Sequence, residues 1–214
     1  SVVAFEQDPQ AIDRALAFLK LALPKLDRKV IDAPLALPLP QLLIIRANFS
    51  HLSDYLTPLK LKLKLNGALF DLGVSSFQLT DPHKGLTFNS DSPLDMRLDP
   101  VLGVTAADLL KILSEKELKK LFWEFGGETF AAPIAKKIVQ TRAHQPLTTT
   151  KQLADLIVKI KPRLRIHPAT QVFQALRIAV NTELDNLRLA LLETPKFLKP
   201  NAPLAVITFH SGED

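Results

Sequence analysis

The stretch Gly67-Ala-Leu-Phe-Asp71-Leu-Gly-Val-Ser-Ser76 decides how this chain is read. Gly67 to Phe70 reads as a short strand, and the loop of small residues from Leu72 to Ser76 marks its end. Asp71 sits at that junction. A carboxylate at the carboxyl end of a parallel strand can accept a hydrogen bond from an amino group of a cofactor or substrate. The plainer reading is an Asx-turn or helix-capping aspartate. Spacing alone leaves the two readings level.

Moving toward the amino terminus, Leu42 to Ile45 is a second short apolar run, followed by Phe49-Ser50 and a short helix. Ser1 to Phe5 is another strand, closed by Glu6-Gln7-Asp8-Pro9. Asp8 before Pro9 predicts a helix start, because Asp caps free N–H groups and Pro suits the first helical position. Ile12, Leu16 and Leu19 then recur at helical spacing. Pro34 to Pro40 reads as a loop or a crossing linker. Leu59 to Leu65 alternates Leu with Lys, and either a half-buried strand or the amphipathic end of a loop fits it.

Toward the carboxyl terminus, residues 80–104 are rich in Pro, Asp, Ser and Gly. That is long for a connector, and long loops in compact domains are often functional. Residues 105–165 are helical and basic, with capping-box patterns at Ser114–Glu117 and Thr149–Gln152 and a break at Gly126-Gly127. One long helix is expected from Ala169 to Glu193, and Pro195 to Pro203 ends it. Leu204 to Phe209 is a last strand, closing on His210-Ser211-Gly212-Glu213-Asp214. No internal repeat occurs. Strands alternating with helices predict an α/β fold with a mostly parallel sheet and helices on both faces. Glu6, Asp71 and His210 then stand at three strand ends, where such sheets bind ligands.

Composition narrows the chemistry. The 214 residues include no Cys, which excludes disulfides, thiolate metal sites and a cysteine nucleophile. A hydrophobic fraction of 47% argues against disorder. No apolar run reaches the ~18 residues of a membrane span, and Ser1 to Phe5 lacks the basic start of a signal peptide. The five His show no H-x-x-x-H spacing, so no metal site is expected. His210-Ser211 stands outside any G-x-S-x-G elbow, which argues against a hydrolase. The net charge of +5 hints weakly at an acidic partner. Lys136, Lys137, Arg142, Lys151, Lys159, Lys161, Arg163 and Arg165 are candidate phosphate contacts, although most charge runs are solvated helix surface. Phe122, Trp123 and Phe125 could stack on a base, but core packing is the commoner role of such a cluster. Glu6, past the first strand, could take both ribose hydroxyls of a nucleoside cofactor; a solvated turn acid is the commoner case.

The segments together resemble one family. Asp71-Leu-Gly-Val-Ser-Ser76 with Gln78-Leu79, Gly85-Leu-Thr-Phe88, and Ser92-Pro-Leu-Asp-Met-Arg-Leu-Asp-Pro100 form a long ordered series. His167-Pro-Ala-Thr170, Phe173-Gln-Ala-Leu-Arg-Ile178, Asn181-x-Glu183-Leu184 and Phe209-His-Ser211 with Glu213-Asp214 continue it. This resembles the MraW/RsmH family, the ribosomal RNA small-subunit methyltransferase H enzymes, across essentially the whole chain. The resemblance implies a Rossmann-like class I methyltransferase sheet, here residues 1–104 and 166–214, with an inserted helical substrate-recognition subdomain, residues 105–165. It implies S-adenosylmethionine as cofactor and N4-methylation of a cytidine in small-subunit (16S-type) rRNA. The implied partner is that rRNA or the assembling small ribosomal subunit, with no membrane and a homodimer as a possible assembly. The implied location is the bacterial cytoplasm, with mitochondrion or plastid as alternatives.

By the same resemblance Glu6, Phe49, Asp71 and Gln78 are cofactor-binding. Asp71 and Ser75 are the catalytic candidates. Lys136, Lys137, Arg142, Arg163 and Arg165 are the RNA-binding candidates. Asp95, Arg97, His167, Gln174, Arg177, Asn181, His210 and Ser211 belong to the surroundings of the active site. Cytosine N4 is a poor nucleophile because its lone pair is delocalised into the ring. The site must therefore hold the amine in line with the methyl group and accept one of its N–H bonds. Asp71, or the Ser75-Ser76 loop, fits that role.

Three departures from the family stand out. Its first strand and glycine-rich loop, of the type Gly-x-Gly-Gly-His, have no counterpart before Ser1. The family also continues beyond Asp214, and Gly212 replaces its usual Leu. These predict that the sequence is an incomplete record of a larger protein, which an intact mass near 23.7 kDa would refute. The competing expectation is an inactive fragment or RNA-binding module, separated from the enzyme by calorimetry with S-adenosylmethionine. A small-molecule methyltransferase fits the basic insert less well.

Overall fold

The computed structural model describes residues 1–32, 38–59, 64–162, 165–210 and 212–213. The chain forms two compact units: Ser1–Gly73 with Glu183–Asp214, and Val74–Thr182.

The first unit carries the sheets. β1 (Val2–Glu6), β2 (Arg28–Ile31) and β3 (Leu42–Arg46) make a parallel sheet in the order β1-β3-β2. β4 (Ala68–Asp71) and β5 (Leu204–Ile207) form a separate parallel pair. α1 (Pro9–Ala22) starts as its sequence predicts, with the Asp8 carboxylate accepting the Gln10 N–H at 3.0 Å. α2 (Leu52–Leu56) and α9 (Glu183–Glu193) complete the unit. Its core gathers Leu43, Ile45, Leu52, Leu56, Phe70, Leu72, Leu187, Ala190 and Phe197. β2, a four-residue strand beginning Arg-Lys, is absent from the sequence reading because its apolar content is too low to mark it. Part of the Pro34–Pro40 loop and of the Leu59–Leu65 alternation lies outside the described residues.

The second unit is helical: α3 (Ser76–Thr80), α4 (Ala106–Ile112), α5 (Glu115–Gly126), α6 (Ala131–Arg142), α7 (Thr150–Val158) and α8 (Thr170–Asn181). Both predicted capping boxes form, and two more do so at Ser75–Gln78 and Thr105–Asp108. The unit is wider than residues 105–165. Leu86, Leu94, Met96 and Leu98 from the long loop and Val172, Phe173 and Leu176 from α8 belong to the same core as Phe122, Ile134 and Leu153. The loop of residues 80–104 is therefore a wall of this core. Gly85 is needed in it: its φ is 61°, and a Cβ would lie 2.0 Å from the Pro93 carbonyl oxygen.

The single helix expected from Ala169 to Glu193 is two helices. Thr182 adopts a left-handed φ of 48° between α8 and α9. Apolar periodicity runs on through this break, which is why it was invisible in the sequence. Asn181, just before it, turns its side chain back into the unit. Its Nδ2 donates to the carbonyls of Met96 at 2.8 Å and Arg177 at 2.9 Å, and its Oδ1 accepts the Leu98 N–H at 2.8 Å. The chain passes from the helical unit to the sheet unit at this point.

Candidate functional site

In the sheet unit the candidate residues stand at carboxyl ends of strands. Glu6 ends β1 and pairs in register with Arg46 of β3. It is half-buried, and its Oε1 accepts the Asp8 N–H at 2.8 Å. The next residue, Gln7, accepts a 2.8 Å hydrogen bond from Asn48 Nδ2. Asn48 in turn caps the short turn of Phe49–His51 by accepting the Ser50 N–H at 2.9 Å. That cap fixes Phe49, whose ring meets Phe70 edge-on at 5.4 Å and 72°. Phe49 is thus anchored next to the strand that ends in Asp71.

Asp71 differs from its neighbours. It is exposed, and among the described residues its carboxylate makes no hydrogen bond or ion pair. An Asx turn or helix cap would show the side chain accepting a nearby N–H, so the plainer reading does not describe it. Leu72 extends the pairing, its N–H donating to the Ile207 carbonyl at 3.2 Å. On β5's side, His210 Nε2 lies 3.1 Å from Glu213 Oε1, an ion-pair distance without hydrogen-bond alignment. Glu213 also accepts the Phe209 N–H at 2.8 Å, so this corner is self-contained. A groove of about 660 Å³, lined by Ser1, Val3, Leu39, Leu65 and Asn66 among others, lies at the amino-terminal ends of β1 and β4, away from these carboxylates.

The other candidates fall in the helical unit. Ser75 caps α3: its Oγ accepts the Gln78 N–H at 3.3 Å, while the Gln78 side chain accepts the Ser75 N–H at 2.8 Å. The two residues form a reciprocal box that starts a helix, and Gln78 is 8% exposed. Asp95 and Arg97 hold each other. Arg97 donates to both carboxylate oxygens, at 2.7 and 2.8 Å, and to the carbonyls of Pro100 and Leu102. Burial pushes the Asp95 carboxyl up, but the Arg97 hydrogen bonds and charge, with the charge of Lys84, outweigh it and hold it below the usual range. These residues lock the loop conformation, in which Met96 is fully buried at a φ of 66°. Gln174 donates weakly to the Phe125 carbonyl at 3.4 Å. Ser211 lies outside the described residues.

The basic residues divide. Lys136 and Lys137 on α6 and Arg165 are exposed. Arg142 donates to the carbonyl of Leu110 near the end of α4, so it caps that helix. Lys161 is not a surface cation: it is 4% exposed and donates to Glu128 Oε2 and Gln171 Oε1, both at 2.7 Å. Arg163 lies outside the described residues. Of the aromatic cluster, Phe122 is fully buried, Phe125 packs against the core and Trp123 is 59% exposed.

An adenosyl cofactor asks for a carboxylate that can take ribose hydroxyls, an aromatic wall, and an acceptor for an amine. Glu6, Phe49 and Asp71, all in the sheet unit, are residues of those types. Sequence reasoning missed the anchoring of Phe49 through Asn48 and Phe70, because no spacing rule links those three positions. It also missed the Lys161–Glu128 pair, since charged residues in a helical stretch read as surface.

Comparison with known proteins bears on the whole chain. The model of the MraW methylase family matches residues 1–214. A ribosomal RNA small subunit methyltransferase H from Syntrophotalea carbinolica is 48% identical over 178 residues, covering 81% of this chain and 56% of the relative. Its counterpart from Acidobacterium capsulatum is 41% identical over 217 residues, covering 100% of this chain and 68% of the relative. The one from Brevibacillus brevis is 38% identical over 217 residues, again covering 100% of this chain and 64% of the relative. This chain thus spans between about half and two thirds of the length of these relatives. The quoted motifs, the parallel α/β sheets and these matches agree: the chain belongs to the MraW methylase family.

Proposed function

We propose that this chain carries out S-adenosylmethionine-dependent N4-methylation of a cytidine in small-subunit ribosomal RNA. The observation that carries the reading is Asp71: an exposed carboxylate, without a partner among the described residues, at the end of an otherwise apolar strand. S-adenosylmethionine supplies an electrophilic methyl group on a sulfonium. Glu6 takes ribose hydroxyls, and Phe49 provides an apolar wall for the purine. Asp71 accepts an N–H from the amine to be methylated, so that the nitrogen lone pair leaves conjugation with the ring. Ser75 and Gln78 shape the loop after Asp71 through their mutual capping. The helical unit offers Lys136, Lys137 and Arg165 to phosphates. A bacterial cytoplasm fits such a substrate, and no helix among the described residues is long and apolar enough to cross a membrane. A homodimer and binding to the assembling small subunit belong to the same reading.

The test is nucleoside mass spectrometry of small-subunit rRNA incubated with the protein and S-adenosylmethionine. N4-methylcytidine is expected, and its absence rejects the reaction. Asp71→Asn should lower the rate roughly a hundred-fold, within the range for losing a general acid–base or charge-stabilising group. An unchanged rate removes Asp71 from the mechanism.

A further inference from the structure

In the helical unit the ring of His167 lies flat on that of Phe88, with centroids 4.2 Å apart and planes inclined by 17°. Phe88 is half-buried and meets Phe173 edge-on at 5.2 Å and 89°. Phe173 is 4% exposed and belongs to the core. His167 itself is exposed. Its ring is also held at the edge, because the Ala169 N–H donates to Nδ1 at 3.2 Å. With Nδ1 an acceptor, the neutral ring carries its proton on Nε2. The His167 carbonyl accepts the Thr170 N–H at 3.0 Å and so ties the residue to the start of α8. The result is a flat aromatic ring, fixed below and at one edge, at the solvent surface.

We propose that His167 is a stacking platform for an unpaired RNA base. The proposal rests on the RNA-methylation reading above and adds the residue that holds a base outside the sheet unit. Single-stranded RNA is recognised largely by stacking of splayed bases on Phe, Tyr, Trp or His rings. A ring already immobilised loses little freedom on binding, so more of the stacking energy appears as affinity. The local charge suits a polyanion. The exposed Arg165 lies two residues before His167, and no Asp or Glu occurs between Asp155 and Glu183. Phe88 and His167 come from two of the family motifs, the Gly85-Leu-Thr-Phe88 and His167-Pro-Ala-Thr170 segments, and the fold places them face to face.

The experiment measures binding of the full chain to a labelled single-stranded RNA octamer and to an abasic strand of equal length, across a salt series. His167→Ala should weaken binding to the octamer roughly ten-fold or more and leave the abasic strand unaffected, and His167→Tyr should restore it. A second variant reads stacking directly. In His167→Trp with Trp123→Phe, the chain's one Trp sits at the platform, and the octamer should quench its emission while the abasic strand does not. Should His167→Ala fail to fold, the quenching alone decides. Binding by His167→Ala within two-fold of the wild type, equal loss on both strands, or unquenched emission from the His167→Trp variant overturns the platform while leaving the RNA reading intact. A wild-type chain that binds neither strand in a salt-dependent way sinks the RNA reading and the platform with it.

Discussion

The two units close their polar groups differently. In the helical unit, polar side chains reach across long sequence separations into a buried core. Lys161, Glu128 and Gln171 interlock, Asn181 clasps Met96 and Leu98, and Thr150 bonds to Ser90 and Ser92. In the sheet unit, side-chain bonds of long sequence separation also occur, Asn48 to Gln7, Ser53 to Glu193 and Lys64 to the Lys196 carbonyl, but they lie in part-buried or exposed positions. Its core of buried apolar side chains is the smaller of the two among the described residues. A buried polar network that is fully satisfied rigidifies its surroundings, and a broken one is costly. The helical unit should therefore be the stiffer of the two, and amides in the sheets should open at lower free energy.

The hardest blow to that contrast is Lys161→Met. It leaves Glu128, whose side chain is fully buried, as an uncompensated charge, because its ion-pair partner is Lys161. Breaking a buried pair in this way costs about 3–5 kcal/mol. The helical amides of α5, α6 and α8 should lose hydrogen-exchange protection by that amount, while Ile44 and Ile45 in β3 should hardly change. Lys161→Met with Glu128→Leu should recover most of the loss, since an apolar pair of similar volume is often as stable as the ions. Equal loss of protection in both units would break the comparison.

A smaller effect is expected from Asn181→Ala. The substitution strands the Leu98 N–H and the Met96 carbonyl, both inside the unit, at about 1–3 kcal/mol for a buried group left unsatisfied. Met96 sits at a positive φ that residues other than glycine rarely adopt, and this clasp is one of the restraints that hold it there. Urea denaturation followed by helical circular dichroism measures the loss. A midpoint unchanged from wild type would show that the clasp is incidental to the unit's stiffness.

The same contrast explains which features were legible in the sequence. Local signals survived: the Asp8-Pro9 helix start, the capping boxes at Ser114 and Thr149, and the strand ending at Asp71 each depend on residues a few positions apart. The parallel α/β class followed from their order. What failed depends on distant partners. The break at Thr182 needs Met96 and Leu98, 83 to 85 residues from Asn181, to become visible. Lys161 looks like surface until Glu128 is placed 33 residues away. The bond from Arg142 to the Leu110 carbonyl spans 32 residues and leaves no local signal either. At the candidate site, Asp71 was legible as a strand-end acid, but only the structure shows a carboxylate without a local partner.

Acid sharpens the comparison most gently. In the helical unit Asp95, Asp108 and Glu117 are held below their usual range, and in the sheet unit so is Glu193. For Asp95 the Arg97 bonds outweigh burial; for Asp108 and Glu117 the cause is the hydroxyl and backbone N–H of their capping partners, Thr105 and Ser114. A carboxyl depressed in the folded state contributes stability above its unfolded value, about 3.9 for Asp and 4.3 for Glu. That contribution is lost as pH falls through the lower folded value. The helical unit should therefore lose stability as pH falls below about 4, as read by amide exchange in α5 and α8. Asp95→Asn removes one titrating group but keeps an acceptor near Arg97. It should start less stable at pH 7 and show a flatter acid limb. An acid limb as steep as the wild type's would mean that Asp95 does not titrate with folding, and that the Arg97 contacts lock the loop by geometry alone.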